Sequence, residues 1–247
     1  MKKWFAYGAM FLAVYLIFVI ATAPASVLLN MVSLPKGLSL HGVSGSIWHT
    51  KIKQVSQGEL QIHDVDAQLN LLSLLTLDPK ISLSFGGALV PGPEGQLDVS
   101  GLLAEARIEN ADITLAANDV AAQLSLPIDL DAHGFVHLKL SEFVVGKPLC
   151  QLAKGDINWA NASVTAMEEK VKLGSFSAKV TCEQGALALT LAPKNDLGLT
   201  FSAYIRQSGR LSGNGYLTPG EKFPEELKTV LPFIGKADNQ GRYRLNL

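Results

Sequence analysis

The chain has 247 residues, with 21 Lys and Arg against 22 Asp and Glu and a formal net charge of −1. These charges are nearly balanced and form no basic cluster, which argues against a nucleic-acid partner because such partners need a concentrated cationic face. Aromatic residues make up only 7% of the chain, so stacking on bases is not indicated either. The abundance of Gly, Ser, Val and Leu, without long amphipathic helical stretches, indicates a mainly β protein.

The first predicted element is an N-terminal membrane helix. Its dense apolar part runs from Phe5 to Ala23 without a charged side chain, and about 20 such residues cross a hydrocarbon core of roughly 30 Å. Lys2 and Lys3 precede it, so the positive-inside rule leaves the short tail in the cytoplasm and exports the remainder. A cleaved signal peptide is the alternative, although the apolar run exceeds the roughly 7–15 residues usual for one. Both interpretations export the rest of the chain.

Three regions are predicted along the chain. Residues 1–24 form the tail and transmembrane anchor, residues 25–41 a spacer, and residues 42–247 one periplasmic β domain. Pro24 and Pro35 disfavour a helix that continues through the spacer. We therefore expect a single-pass inner-membrane protein whose body is a twisted antiparallel β-sheet with a short C-terminal helix.

Short alternating runs predict the strands of this sheet. Gly, Asn and Asp punctuate them about every ten residues, which favours antiparallel hairpins with one apolar and one wet face. After His63 and Asp64 the alternation changes phase, which predicts a bulge or tight turn there. The runs lie at 60–71, 81–85, 97–99, 106–117, 124–130, 136–140, 157–159, 171–182, 187–191, 197–205 and 242–247.

Two segments are candidate helices. Leu69 to Leu77 is apolar and short, and its pattern fits either a helical turn or a strand. The segment from Phe223 to Gly235 is clearer, because Pro224 suits a first helical position and two glutamates follow it. Pro232 and Gly235 are expected to end this C-terminal helix.

Cys150 and Cys182 both lie in the exported part. An even pair in an oxidising compartment is most simply one disulfide. Closing a loop of about 32 residues would stabilise the fold by roughly 3–4 kcal/mol. Two buried free thiols remain the alternative.

We predict no catalytic, metal or cofactor site. His133 and His137 share a strand face but lie about 13 Å apart at roughly 3.3 Å per residue, which is too far for one metal ion. Asp64 and Asp66 lie about 7 Å apart and could support acid–base chemistry, but a solvated strand face is the favoured interpretation.

Trp48 and Trp159 are the most informative aromatic residues. Exposed tryptophan is enriched at binding hot spots, so either residue could belong to an interaction surface together with Gly45. The alternative, which we favour, is that each tryptophan fills space in the core beside small glycines.

The order of several features resembles protein N of the bacterial type II secretion system, over essentially the whole chain. After the membrane helix comes a G-x-x-W element at Gly45 to Trp48, and Thr50 departs from the glycine that the family often has there. The later features are Cys150 with Gly155, Ile157 and Trp159; Cys182 with Gly185; SGNGYLTP at 212–219; PEELKTVLPFIG at 224–235; and DNQGRYRL at 238–245.

The resemblance implies an accessory inner-membrane subunit of the machine that moves folded proteins from the periplasm across the outer membrane. Members of the family are not enzymes and carry no known cofactor, and their expected partners are the inner-membrane platform and periplasmic connector subunits. The repeated hairpins are also similar, more distantly, to AsmA-like proteins, which hold lipid acyl chains against the apolar face of a curved sheet. The alternating pattern serves such a lipid groove and an ordinary dry core equally, and we favour the core.

Overall fold

The computed structural model describes residues 2–31, 37–58, 60–87, 89–102, 105–122, 130–166, 169–207, 210–229 and 231–246, except the side chains of residues 2, 3, 5, 6, 9, 28, 30, 31, 75 and 166. Its helices are α1 Lys2–Thr22, α2 Ala25–Met31, α3 Leu71–Leu75, α4 Ala117–Ala122, α5 Glu225–Lys228 and α6 Leu231–Ile234. Its strands are β1 Leu38–Ser46, β2 His49–Gln57, β3 Leu60–Leu69, β4 Ile81–Phe85, β5 Glu94–Ser100, β6 Arg107–Ala116, β7 Asp131–Val145, β8 Cys150–Ala166, β9 Glu169–Glu183, β10 Ala186–Leu191, β11 Leu199–Ile205, β12 Leu211–Leu217 and β13 Tyr243–Asn246. The strand predicted at 124–130 falls almost wholly outside the described residues, as does Pro35.

The described strands form one antiparallel sheet in the order β1 to β13, so each strand pairs only with its neighbours in the chain. This confirms the predicted mainly β, antiparallel fold. Hairpin connections explain the order, because antiparallel strands joined by short turns pair with the strand that precedes them. The longest strands, β7, β8 and β9, lie in the middle of the sheet with 15, 17 and 15 residues.

The phase change predicted after His63 coincides with a residue of positive φ in β3. Asp64 has a φ of +50°, in the left-handed region that aspartate tolerates better than most residues. The pairs Ile52–Val65 and Gln54–His63 keep one register on either side of it, so no residue is inserted and the predicted bulge is absent here. Asn161 in β8 also has a positive φ, of +51°.

The candidate helices differ in part from prediction. The ambiguous stretch ends β3 and then forms the single turn α3, whose Leu72 amide donates to Asn70 Oδ1 at 2.9 Å. The predicted C-terminal helix is two separate turns, α5 and α6, and Pro232 lies inside the second turn. A proline ring clashes with the carbonyl four residues earlier, here that of Lys228, which is where α5 ends.

The N-terminal region begins with α1, where the membrane helix is predicted. Large apolar side chains along this helix are exposed, among them Trp4, Phe11, Ile17 and Phe18. Counted over the described residues alone, no helix is both long and apolar enough to cross a membrane. The predicted spacer contains α2 and the first residues of β1, because Pro24 interrupts the helix without preventing a new one at Ala25.

Candidate functional site

The sheet carries an unbroken row of polar residues across all of the described strands. Neighbouring members of this row are directly paired, so their side chains lie on one face. Two adjacent pairs are ion pairs, Lys51–Asp66 at 3.8 Å and Lys139–Asp112 at 3.4 Å. We call this the polar row: Ser44, Lys51, Asp66, Ser84, Gln96, Asp112, Lys139, Asp156, Lys179, Thr190, Ser202, Asn214 and Asn246.

The residues next to the polar row along the central strands point to the opposite face of the sheet and are apolar. Direct pairing joins seven such residues from β4 to β10, which we call the apolar row: Phe85, Gly95, Ile113, Leu138, Ile157, Ala178 and Leu191. Every member is half-buried. Because every described strand belongs to this one sheet, no second described sheet covers the apolar row.

Trp48 joins the sheet to α1. It lies in the two-residue turn between β1 and β2, and its indole N–H donates to the Ile20 and Ala21 carbonyls, with N–O distances of 3.2 and 3.1 Å. Both carbonyls belong to the last turn of the helix, where backbone donors run out, and the Ile20 carbonyl also accepts from the Ala23 amide at 3.4 Å. The Ile47 amide also donates to the Ala23 carbonyl at 3.1 Å.

The residues just after α1 also pack against the β1–β2 turn. We call the whole contact, formed by Ile20 to Ala25 with Gly45 to Trp48, the Trp48 joint. Pro24 forms an isolated antiparallel bridge with Ser46, and Ala25 is only 3% exposed. Gly45 has a φ of +89°, and a side chain at this position would collide with the His49 carbonyl. Thr50, the departure from the family pattern, donates its hydroxyl to the Ser46 carbonyl at 2.9 Å across the turn.

Trp159 belongs to the packed end of the β8–β9 hairpin. Its ring centroid lies 5.8 Å from that of Phe176, and its N–H donates to the His133 carbonyl at 3.0 Å. The ring packs against the buried cluster of Ala162, Val171 and Leu173. Trp159 therefore lies in a packed environment far along the sheet from the joint that Trp48 makes.

Cys150 and Cys182 form the predicted disulfide, which links β8 to β9. Their Cα atoms are 6.1 Å apart, and Cys150 is 2% exposed. The Leu149 amide donates to the Gly185 carbonyl at 3.0 Å next to the bridge, which ties the start of β8 to the β9–β10 turn. The bridge and the Trp159 contacts thus fasten the same two strands at separate points.

Of the two candidate acid–base residues, Asp64 is exposed, whereas Asp66 is engaged in structural contacts. His49 Nε2 lies 2.8 Å from Asp66 Oδ2, and this hydrogen bond lowers the pKa of the Asp66 carboxyl. Partial burial opposes the shift, while a hydrogen bond from Gln68 and the positive charges of His49 and Lys51 add to it.

The two candidate strand histidines bond to different neighbours. His133 Nε2 lies 2.8 Å from Thr165 Oγ1 on β8, and His137 Nδ1 lies 3.0 Å from Thr114 Oγ1 on β6. In the described part of the chain, no three His, Cys, Asp or Glu side chains are grouped closely enough to hold a metal ion.

The fold also builds a basic cleft that the sequence analysis missed. A cavity of about 770 Å³ at the end of the β8–β9 hairpin is lined by Lys170, Lys172, Lys194 and Lys222 together with Asp196. These lysines come from three separate segments, so no basic run marks them in the sequence. Only the pairing of β8 with β9 and the return of later loops bring them together.

Comparison with known proteins identifies the family. The sequence model described as Type II secretion system (T2SS), protein N matches residues 36–246. Among similar proteins, the Type II secretion system protein N of Vibrio cholerae serotype O1 is 28% identical over 100% of this chain and 98% of its own length. The Aeromonas hydrophila protein of the same name is 30% identical over 99% of this chain and 98% of its own length.

No solved structure matches the chain significantly. The family match covers the whole sheet, from β1 to β13, and the two relatives extend over α1 as well. The resemblance inferred from the ordered motifs is therefore confirmed, and the chain belongs to the type II secretion system protein N family.

Proposed function

We propose that this chain is an accessory inner-membrane subunit of the type II secretion system, which aids the export of folded proteins through protein–protein contacts. The family match over residues 36–246 supports a role in this system. We further propose that the inner-membrane platform and the periplasmic connector are its direct partners. In this proposal the protein makes and breaks no covalent bond.

The membrane placement rests on α1. Its 21 residues would extend about 31 Å at 1.5 Å per residue, which matches a hydrocarbon core of roughly 30 Å. The exposed apolar side chains along the helix need a covering, and lipid tails supply one. With Lys2 and Lys3 on the cytoplasmic side, the sheet would lie in the periplasm.

The observation that carries the proposal is the Trp48 joint. Helix α1 ends against the β1–β2 turn, where Trp48 and Ile47 donate three hydrogen bonds to the last carbonyls around it. A sheet held this way keeps a fixed orientation at the membrane surface, which suits a protein that presents a surface to neighbouring subunits. The polar row supplies that surface, with charges of both signs.

Photo-crosslinking in intact membranes tests the proposal. A photoreactive residue replaces Asp156 in the polar row or, in a matched variant, its neighbour Ile157 in the apolar row. We expect Asp156 to give adducts with platform or connector subunits and Ile157 to give few protein adducts. Protein adducts from neither position, with unchanged secretion after deletion of the gene, would contradict a contact function.

The membrane placement has its own test. Protease added to spheroplasts should digest the sheet, and carbonate washing should leave α1 in the membrane pellet. A chain recovered in the cytosolic fraction would contradict the placement without bearing on the crosslinking result.

A groove that holds lipid acyl chains is the second candidate, and the apolar row favours it. Seven paired apolar residues on one face, half-buried and without a second described sheet over them, resemble the lining of a trough more than a closed core. Lipid adducts from Ile157 but not from Asp156 would support this function. Native mass spectrometry of the full chain without any retained lipid, at every detergent concentration, would exclude it.

A further inference from the structure

We propose that the basic cleft, formed by Lys170, Lys172, Lys194 and Lys222, binds a phosphate group. Nothing in the family assignment concerns this cleft, and the proposal does not depend on the membrane anchor or on the secretion role. Its basis is the charge, the pairing and the shape of the lining residues.

The charge of the cleft departs from that of the chain. Four lysines and one aspartate give the lining a formal charge of +3, whereas the whole chain carries −1. Concentrating like charges around one cavity raises the local positive potential and attracts anions. An arrangement of this kind costs stability unless an anion offsets the repulsion.

Most of this charge is unpaired within the described part of the chain. Lys222 lies 3.9 Å from Asp196, a long and exposed ion pair. Lys170, Lys172 and Lys194 form no ion pair with a described carboxylate. By contrast, Lys139 on β7 and Lys154 on β8 each pair with a glutamate or aspartate. The cleft therefore keeps three ammonium groups available for a ligand.

Neutral hydrogen-bonding groups line the cavity between the lysines. Asn161, Ser163 and Ser175 also line the cavity, so it combines the lysines with residues that carry neutral hydrogen-bonding groups. The cavity of about 770 Å³ is within the range of small-molecule sites. Lysine binds phosphate as a mobile point charge, which suits a cleft whose cations are all lysine.

Local folding explains why the lysines face outward together. Along β9, Val171 and Leu173 enter the buried cluster beneath Trp159, so the alternating residues Lys170 and Lys172 must point to the other face. Lys194 follows β10 and Lys222 follows β12, and both loops return to this end of the sheet. The apolar packing thus fixes the positions of the cations.

The test uses the full chain in nanodiscs of phosphatidylcholine. Calorimetric titration with sodium pyrophosphate measures binding of a free phosphate compound. Flotation of the nanodiscs with vesicles of equal parts phosphatidylglycerol and phosphatidylcholine measures binding of a lipid phosphate. We expect binding in at least one arm, and we expect it to weaken several-fold as sodium chloride is raised.

The variant carries Lys170→Gln, Lys172→Gln and Lys194→Gln. The matched control carries Lys53→Gln, Lys228→Gln and Lys236→Gln, which removes the same charge elsewhere. We expect at least about tenfold weaker binding in the cleft variant and less than about twofold change in the control, because only the first set surrounds the cavity. Equal thermal unfolding temperatures will show that both variants fold.

The pattern of binding identifies the source of the phosphate. Binding of pyrophosphate alone indicates a soluble phosphate compound, and vesicle binding that the cleft variant loses indicates a lipid headgroup. Absence of binding in both arms, or equal loss in the control, would overturn the proposal. So would a poly-aspartate peptide that binds as tightly as either probe, because it would point to an acidic protein segment.

Discussion

The β1–β2 and β8–β9 hairpins each contain a tryptophan whose indole N–H bonds to a backbone carbonyl more than 25 residues away, yet the two tryptophans hold different structures together. Trp48 lies in a turn and reaches the end of α1. Trp159 lies within a 17-residue strand and packs on Phe176 and the buried cluster. The similar local sequences GSIW and GDINW thus have different structural roles. The tryptophan of the first lies in a hairpin turn, whereas that of the second lies within a paired strand. Position in the sheet decides the role, and variants in each region should have separable effects.

Removing the disulfide should have the largest effect. The variant with Cys150→Ala and Cys182→Ala should lose about 3–4 kcal/mol of unfolding free energy, because the bridge closes a separation of 32 residues in the unfolded chain. Chemical denaturation of the purified full chain, followed by circular dichroism, measures this. Wild-type protein with a reductant is the control, and a loss below about 1 kcal/mol would show that the β8–β9 contacts suffice without the bridge.

Trp159→Ala should cost about 2–3 kcal/mol, somewhat below the usual cost for a buried tryptophan because the ring is half-buried. The same denaturation experiment measures it, with Trp159→Phe as the matched variant that keeps the aromatic packing. An equal or larger cost for Trp48→Ala would remove the distinction between the two hairpins.

Trp48→Phe should loosen only the joint. It keeps an aromatic ring but removes the two hydrogen bonds to Ile20 and Ala21, at a local cost of about 1 kcal/mol. That energy corresponds to roughly fivefold faster hydrogen exchange at the Ile47 amide, which donates to Ala23. Mass spectrometry in nanodiscs detects it, and Trp159→Phe should leave that amide unchanged. Unaltered exchange in Trp48→Phe would mean that Pro24 and Ala25 hold the joint without the indole.

The smallest predicted effect is on the stability of the fold at acidic pH. The pKa of Asp66 is lowered chiefly by its hydrogen bond with His49, so the ionised carboxyl favours the folded state. This contribution is present above about pH 4 and is lost as the pH falls through the lowered folded-state pKa. His49→Gln should raise the Asp66 pKa and cost less than about 1 kcal/mol, since the pair is partly exposed. An NMR titration of the carboxyl that shows no upward change would contradict the assignment.

Sequence patterns were sufficient for most of the strands, the disulfide and the family because each depends on local periodicity or on ordered motifs. No alternating run was predicted for β1, β2 or β12, which the structure adds to the sheet. Alternation along β9 predicted which residues face the core, and two cysteines in a segment expected to be exported predicted one bridge. The C-terminal helix is split because the Pro232 ring would clash with the Lys228 carbonyl in a continuous helix. The sequence analysis took Pro232 itself as the end of the helix and therefore placed the break about one turn too late.

The basic cleft and the Trp48 joint were beyond sequence reasoning because each depends on residues that are distant in the chain. Lys194 returns to this end of the sheet only after the β9–β10 hairpin has formed, and Lys222 only after two further hairpins, so no charge run marks them. The sequence singled out Trp48 as informative, but its contact with Ile20 and Ala21 follows from the direction in which α1 ends. A sharper signal was available in Gly45, because a glycine just before a turn tryptophan indicates a positive φ and a close backbone approach.

The linear order of the sheet has a consequence for how the protein is made. Each strand needs only the strand synthesised before it, so a chain delivered amino end first can add hairpins one at a time to an edge that already exists. The segment at Pro24 supplies the starting point, because its bridge to Ser46 fixes the first strand next to α1. Besides the outer edge of β1, growth from a tethered end would expose only one new strand edge at a time, which limits mispairing between nascent chains.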